Sequence, residues 1–176
     1  TAKKKIKFSD KWEHERIQNS IDKINGSTTK IPEYEILNSG KYPVYTQDIQ
    51  QSFAGFSNNT NPITDVPVVL FGDHSCAVKF VDQPFFRGAD GTVLLKPKKK
   101  YCPKYYFYII EYVVNKFLDK TKYERHNKYL QELYIPVPPS DVQQQIIVEM
   151  EQVVNSITLL TQQICLLYTS PSPRDT

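Results

Sequence analysis

The segment 135–164 constrains the fold of this chain more strongly than any other stretch. It reads IPVPPSDVQQQIIVEMEQVVNSITLLTQQI. The prolines within 136–139 cannot lie inside a helix, because proline lacks the backbone N–H and its ring clashes with the preceding turn. Ser140 and Gln143 follow as an S-x-x-Q pattern, so we expect a capping box in which each side chain bonds the backbone N–H of the other. An extended stretch is therefore predicted to lead directly into a helix.

Apolar side chains recur along this predicted helix at alternating steps of four and three residues. They are Val142, Ile146, Met150, Val153, Ile157, Leu160 and Ile164. This spacing is typical of a coiled-coil seam, and no Lys or Arg occurs between Lys128 and Arg174. A helix of roughly 26 residues would be about 39 Å long, which suits a spacer or a dimerisation strut. We predict a subunit interface along the seam; the alternative is an ordinary surface helix packed on its own domain.

Basic residues are clustered along the chain. The net charge is +3, and the 22 Lys and Arg residues include four within 3–7, five within 96–104 and five within 116–128. A mild overall charge permits a polyanionic partner without requiring one. Lysine runs can follow a phosphate backbone, although a solvated surface loop has the same composition. Charge alone therefore does not decide between the two.

The region before the proline cluster predicts a mixed α/β (α+β) domain, with a small twisted, mostly antiparallel sheet and flanking helices. Strands are predicted at 42–46, 66–71, 77–81, 91–95 and 133–137. Within 12–24, a short strand or turn is predicted to lead into a helix of one to two turns that ends at Asn25-Gly26. The apolar spacing after Pro103 predicts a core helix. The polar stretch 47–61, rich in Gln and Asn, is predicted to be a loop.

No sequence motif for catalysis is present. The chain lacks a G-x-x-x-x-G-K-[ST] phosphate loop and a G-x-G-x-x-G dinucleotide turn, and it has no Glu-x-Lys or Asp-x-Lys triplet of the kind that nucleases use. Its match to the N-P-P-[YFW] motif of adenine methyltransferases, at Asn61-Pro62, lacks the second proline and the aromatic residue. We therefore predict that the chain is not an enzyme, has no catalytic residues and needs no cofactor.

Cysteine and histidine spacing indicates neither a disulfide framework nor a metal site. Cys76, Cys102 and Cys165 are far apart and odd in number, which does not fit either arrangement. His74 lies beside Asp73 and close to Cys76, but no other histidine has ligand-like spacing. Free cysteines, and the lack of an apolar run long enough for a signal peptide or a membrane span, predict a cytoplasmic protein without a metal or membrane association.

Five stretches of the chain resemble the specificity (S) subunit of type I restriction-modification systems. They are Trp12-Glu13 with Ile17, Gly40-Lys41-Tyr42-Pro43-Val44, Val69-Leu70-Phe71-Gly72-Asp73-His74, Pro84-Phe85-Phe86 to Asp90-Gly91, and Ile135-Pro136-Val137-Pro138-Pro139 followed by Gln143 to Val148. Together they span residues 11–165, and the last is the most specific. In that family a P-x-P-P step, a glutamine and a long apolar helix mark the end of a target recognition domain and the start of a spacer helix.

The resemblance implies a target recognition domain at 11–138 that reads one half of a bipartite site in double-stranded DNA. It also implies a spacer helix at 139–167 that docks methyltransferase and restriction subunits, which carry the catalysis. The familiar subunit has two recognition domains and two spacer helices, whereas this sequence has one of each. We therefore expect either a fragment of a longer subunit or a half-length subunit that forms a homodimer through its helix.

The two ends of the chain are expected to be unstructured. Residues 1–10 are predicted to be a flexible N-terminus and residues 168–176 a disordered tail. The apolar seam stops abruptly before this tail, which raises the alternative that the tail is not native to the protein.

The resemblance does not identify the residues that contact DNA, so we predict them from chemistry. Phosphate contacts position a protein without reading sequence. The candidates are Lys98, Lys99, Lys100, Lys122, Arg125 and Lys128. Amide, hydroxyl and guanidinium groups can pair with base edges. The candidates are Gln47, Gln50, Gln51, Ser52 and Arg87. Two other functions remain open: a protein-interaction scaffold with a helical dimerisation arm, and the recognition fragment of a fused restriction-methyltransferase enzyme.

Overall fold

The computed structural model describes residues 11–89 and 91–169, without the side chain of Thr169. The strands are β1 Glu13–Arg16, β2 Ile21–Asp22, β3 Lys30–Ile31, β4 Tyr42–Tyr45, β5 Gly55–Ser57, β6 Val68–Gly72, β7 Val78–Val81, β8 Phe86–Gly88, β9 Thr92–Pro97 and β10 Tyr134–Val137. The α-helices are α1 Pro103–Phe117, α2 Asn127–Glu132 and α3 Ser140–Thr169. The predicted flexible N-terminus and most of the predicted tail lie outside the described residues.

The described strands form three small sheets. One is antiparallel, with the order β2-β9-β6-β7. A second has the order β3-β8-β4-β5, in which β8 is parallel to both β3 and β4. In addition, β1 pairs with β10 in antiparallel orientation. The predicted mixed class, with antiparallel pairing predominant and a long C-terminal helix, is confirmed, although the strands are divided among three sheets where the sequence indicated one.

Strand β6 lies between two hydrophobic clusters. Val69 and Phe71 pack in the larger cluster, which contains the inner face of α1. Val68 and Leu70 pack in a second cluster around Phe85. Adjacent residues of a strand point to opposite faces, so burial on both faces requires the uninterrupted apolar run PVVLF. The predicted buried strand and the predicted core helix are both confirmed.

The prediction of a helix within 12–24 is wrong. This stretch forms β1, a single 3-10 turn at Ile17–Asn19, and β2. Ile17 is fully buried, and the Ser20 hydroxyl lies 2.7 Å from the hydroxyl of Tyr106 on α1. Pairing of β1 with β10 and of β2 with β9 holds the backbone extended on both sides of the turn, and this tertiary pairing outweighs the helical spacing of the apolar residues.

Apart from β3 and a 3-10 turn at Glu33–Glu35, three further elements were not predicted from the sequence. β5 interrupts the predicted loop 47–61, β8 lies in a stretch read as a connection, and α2 follows a charged segment. The two strands have three residues each and α2 has six. Elements of this length contain too few residues to show a period. Their neighbours determine them, as the parallel pairing of β8 with β3 and β4 illustrates.

Gln143 joins α3 to the domain and does not form the predicted capping box. Its side chain is buried. Its Nε2 donates to the carbonyls of Pro138 and Lys100 at 2.8 and 2.9 Å, and its Oε1 accepts the Cys102 N–H at 2.7 Å. Its own backbone N–H donates to a carbonyl four residues earlier at 3.0 Å, not to the Ser140 side chain. The capping-box prediction is therefore wrong, because these backbone groups draw the glutamine into the domain.

Only the start of α3 packs on the domain. Ile146 and Ile147 join the larger hydrophobic cluster, whereas the side chains from 148 to 168 are exposed. Ile157 and Leu160, in the middle of the predicted seam, are both 58% exposed. The helix has 30 residues and is about 45 Å long. Packing on its own domain thus describes the first two turns, and the rest of the seam, from Met150 on, is uncovered.

Candidate nucleic-acid interface

Residues 46–52, which we call the amide loop, follow β4 and project from the domain. Two hydrogen bonds hold the loop: within it, Gln50 donates its backbone N–H to Asp48 Oδ1 at 2.8 Å, and from β7 Lys79 Nζ donates to the Gln51 carbonyl at 2.8 Å. Burial lowers the pKa of the Lys79 ammonium. The side chains of Gln50 and Gln51 are exposed, and the side chain of Ile49, which precedes them, is 65% exposed. The loop therefore presents two free amides and an apolar side chain on an ordered backbone.

The amide loop borders two hollows. The larger has a volume of about 930 Å³ and lies between the loop and a wall that contains His74 and Tyr123. The smaller, about 360 Å³, lies between the loop and a wall that contains Glu111 and Lys120. Both hollows are lined by Ile49 and Gln51. The loop thus stands as a ridge between two concavities, a shape that allows its side chains to reach a partner surface.

The far wall of the larger hollow is fixed by Asp73. The Asp73 carbonyl accepts the His126 N–H at 2.8 Å, and its Oδ1 accepts the Asn127 N–H at 2.8 Å. The Asp73 N–H itself donates to the Gly91 carbonyl at 2.7 Å. These bonds tie residues 119–128, which we call the basic segment, to the end of β6, the strand that precedes Asp73. The buried His126 ring also lies 3.1 Å from the Lys122 carbonyl, so it stabilises this segment from beneath.

Three of the predicted phosphate contacts lie on the basic segment. Lys122, Arg125 and Lys128 are exposed. Lys122 Nζ is 3.6 Å from a carboxylate oxygen of Asp119, but an exposed pair of this kind is weak. Lys128 Nζ lies 4.6 Å from the Tyr129 ring centroid. The fold therefore places these three cations on a segment that is bonded to the residue after β6 and that contributes Tyr123 to the wall of the larger hollow.

The other three predicted phosphate contacts, Lys98, Lys99 and Lys100, lie at the opposite end of β9. A six-residue strand is about 20 Å long, and the Thr92 end of β9 is the one that pairs with Gly72 beside the larger hollow. Lys100 Nζ is 2.9 Å from Glu15 Oε1, and the Lys100 carbonyl binds α3 through Gln143. The structure thus separates the two lysine runs.

Two of the predicted base readers have side chains that the fold already uses. Gln47 Oε1 accepts the His74 N–H at 3.2 Å, and a Cβ at Gly91, whose φ is +59°, would lie 2.7 Å from Gln47 Nε2. Arg87 donates to the carbonyls of Thr28 and Thr92 at 3.1 Å each, and burial lowers the pKa of its guanidinium. The bonds of both side chains stabilise the backbone around the larger hollow. The side chains of Gln50, Gln51 and Ser52, by contrast, are exposed.

Sequence reasoning missed Tyr123, the most conspicuous side chain on the wall of the larger hollow. Its ring stacks on His74 with centroids 5.3 Å apart and an interplanar angle of 15°. The Tyr123 side chain is 92% exposed, and the buried Nδ1 of His74 makes no hydrogen bond within the described residues. The signal was an aromatic residue among the charges of Asp119–Asn127, which composition alone assigns to a solvated connection.

Within residues 11–89 and 91–169, the structure contains no group of three or more side chains that could hold a metal ion. Among the same residues no helix has the combination of length and apolar character that crossing a bilayer requires.

Residues 9–167 match the family described as the type I restriction modification DNA specificity domain. The chain belongs to this family. The match covers the domain and the exposed part of α3 together, so the resemblance inferred from short motifs is confirmed. No curated protein matches the chain.

Three solved structures share the fold. A chain from a structure on complex assembly and conformational transition of the type I R-M system has a TM-score of 0.66 at 16% identity, covering 89% of this chain and 41% of that one. The HsdS subunit from Thermoanaerobacter tengcongensis has a TM-score of 0.62 at 17% identity, with 89% and 40% covered. The S subunit from M. genitalium has a TM-score of 0.63 at 17% identity, with 92% and 44% covered. The chain therefore spans about two fifths of the length of these proteins.

Proposed function

We propose that this specificity domain is a non-catalytic unit that reads one half of a bipartite DNA site for a type I restriction-modification system. The observation that supports this proposal best is the position of the amide loop. Its two exposed glutamines stand between two hollows, beside a segment with three exposed cations. Neutral hydrogen-bonding groups at the centre with cations at the edge suit a polyanion whose sequence is read at its base edges.

Base reading falls to Gln50, Gln51 and Ser52. A glutamine amide can donate to and accept from adenine in the major groove, and a good bidentate pair contributes about 1–3 kcal/mol of discrimination against the wrong base. Gln47 and Arg87, which we also predicted as readers, act in this proposal mainly by bracing the hollow. Their bonds to backbone groups support that division.

Phosphate binding falls first to Lys122, Arg125 and Lys128, because they are exposed on the segment that contributes Tyr123 to the wall of the larger hollow. Each phosphate that is bound releases counterions and contributes to the salt dependence of binding. Lys98 and Lys99 stay candidates for phosphates farther along a duplex, since they also carry no salt bridge within the described residues. Lys100 is the weakest of the six candidates, because Glu15 already neutralises it.

Helix α3 provides the protein-binding arm of the proposed unit. Its seam is apolar and exposed from Met150 to Ile164, and the helix contains no basic residue. A surface of this kind suits another polypeptide better than phosphate. The candidates are a second recognition unit, as another copy or as a continuous chain, and the methyltransferase and restriction subunits. Assembly through this arm without any DNA binding is the alternative function.

The test compares paired charge reversals at the two ends of β9. We expect the chain to bind duplex DNA weakly, with affinity that falls steeply between about 50 and 200 mM salt. K122E/R125E should weaken binding at all sequences and reduce the salt slope by about 0.9 for each phosphate that the variant no longer binds. K98E/K99E, a control of equal charge change, should have a smaller effect.

Assembly is measured in parallel by analytical ultracentrifugation, with I157S/L160S as the variant of the seam. Loss of assembly in this variant, with DNA binding per chain retained, would support the division between domain and helix. If the wild-type chain shows no salt-dependent DNA binding while it assembles through α3, the scaffold alternative replaces the proposal.

A further inference from the structure

Tyr123 has an unusual combination of exposure and order. Its side chain is 92% exposed, more than any other large hydrophobic side chain in the described residues. Single exposed apolar residues are normal on a protein surface and need no explanation. This one, however, lies on the wall of the larger hollow, opposite the amide loop, and it is held in place from behind.

The ring is held by its stacking on His74, at 5.3 Å and 15°. The His74 backbone N–H is in turn bound to Gln47, and the basic segment is tied to Asp73 by two hydrogen bonds. One face of the Tyr123 ring is therefore used against the protein, and the other face is open to solvent. A group that is ordered before binding loses little conformational entropy when a ligand arrives.

The surroundings identify the kind of ligand. Lys122 and Arg125 are exposed and lie on either side of Tyr123 in the sequence. Across the hollow, whose lining also includes the carboxylates Glu33 and Asp48, lie the exposed side chains of Ile49 and Gln50. The cores of protein–protein interfaces are depleted in lysine, so this mixture fits a protein partner poorly. An aromatic face among cations and amides fits a nucleobase within its polyanionic backbone.

We propose that Tyr123, supported by His74, is a specificity-determining residue that stacks on one nucleobase of the target duplex. The inference rests on the proposed DNA-reading function and deepens it. A base exposes a π-face only where the duplex is partly unstacked, so Tyr123 selects for a base-pair step that deforms at low cost, as pyrimidine–purine steps do. The amide loop thus recognises base edges, and the Tyr123–His74 pair recognises a base-pair step that unstacks at low cost.

The first test is selection of duplexes from a random pool by the full chain. Wild type and Y123F should select the same motif, because phenylalanine keeps the ring. Y123A should lose its preference at one base-pair step, keep the rest of the motif, and bind the wild-type motif about tenfold more weakly. Y168A is the matched control, because Tyr168 is 88% exposed but lies at the far end of α3; it should select and bind as wild type does.

The second test places the fluorescent base 2-aminopurine at the step that Y123A no longer specifies. Binding of wild type and of Y123F should change the emission of this base. Binding of Y123A should leave the emission at its value in the free duplex. H74F should behave as wild type and H74A as a weaker form of Y123A, because phenylalanine can replace the imidazole as the support. Circular dichroism melting confirms that each variant is folded.

Some outcomes overturn the inference and leave the proposed function intact. These are an unchanged motif and affinity in Y123A, or an equal loss of affinity for all sequences, which would assign the ring to the sugar-phosphate backbone. A wild-type chain that selects no motif at all would overturn the proposed function itself, so the two failures are distinguishable.

Discussion

Two basic sequences lie near opposite ends of strand β9, and they have different roles in the fold. At the Pro97 end, Lys100 pairs with Glu15 and its carbonyl binds Gln143, so the loop after β9 is part of the attachment of α3. At the Thr92 end, the basic segment is tied to Asp73 by its backbone, and its cations stay exposed beside the amide loop. We call these the helix end and the reading end.

The role of each lysine run therefore depends on the groups to which its backbone is hydrogen-bonded. At the helix end the backbone bonds are made to the side chain of a buried glutamine, and the lysine positions are fixed by the need to hold a helix. At the reading end the bonds that anchor the segment to the end of β6 are made to Asp73, and Lys122, Arg125 and Lys128 stay exposed. If the proposed function holds, substitutions at the reading end should change the DNA target without affecting assembly through α3.

The largest expected effect comes from substituting the same residue type at each end. Gln143→Ala leaves the partly buried Cys102 N–H and two backbone carbonyls without partners, and we expect it to lower the free energy of unfolding by about 3 kcal/mol. Gln50→Ala, at an exposed position, should change it by less than about 0.5 kcal/mol. Urea denaturation measures both.

DNA binding should show the reverse order. At a temperature where both variants are folded, Gln50→Ala should weaken binding to the selected duplex by about 1–3 kcal/mol, and Gln143→Ala should bind nearly as wild type does. Equal effects of the two substitutions on stability and on binding would contradict the separation of the two ends.

A smaller effect, at the helix end, depends on pH. Lys96 in β9 lies 2.7 Å from Asp65, and its hydrogen bond, followed by one from the Asn25 N–H, lowers the pKa of the Asp65 carboxyl. The folded pKa is thus below the unfolded value of about 3.9, so the stabilisation is present above that value and is lost as the pH falls through the folded pKa. Asp65→Asn should cost about 1 kcal/mol at pH 7.

Denaturation of wild type and Asp65→Asn at neutral and acidic pH checks this sign. The difference in the free energy of unfolding should shrink as the solution is acidified below about pH 4. Asp82→Asn, at an exposed position, is the control and should change the free energy of unfolding by less than about 0.5 kcal/mol. A gap that widens with acid would show that the pair acts in some other way.

The sequence was sufficient to predict an element where burial requires apolar residues at regular positions over several consecutive residues. PVVLF marked β6 because both of its faces are covered, and the spacing after Pro103 marked α1 because one face packs on the sheet. The proline cluster located β10 and the start of α3. In each case the physical constraint acts on consecutive residues, so it leaves a local trace.

The sequence was insufficient where the constraint comes from a distant part of the chain. Gln143 fits a capping box locally, but backbone groups at 100 and 102 compete for its amide. The lysine runs looked equivalent, because the Glu15 carboxylate that neutralises Lys100 lies 85 residues away in the chain. Tyr123 was visible only as an aromatic residue among charges, since only the folded chain places His74 behind its ring.

Hydrogen–deuterium exchange on the full chain, with and without the selected duplex, tests the separation of the two ends most directly. DNA should slow exchange of backbone amides most strongly in the amide loop and the basic segment, have a smaller effect at residues 98–102, and leave the exposed part of α3 unchanged. Protection confined to 98–102 or to α3, with none at 46–52 or 119–128, would show that the reading end does not bind DNA.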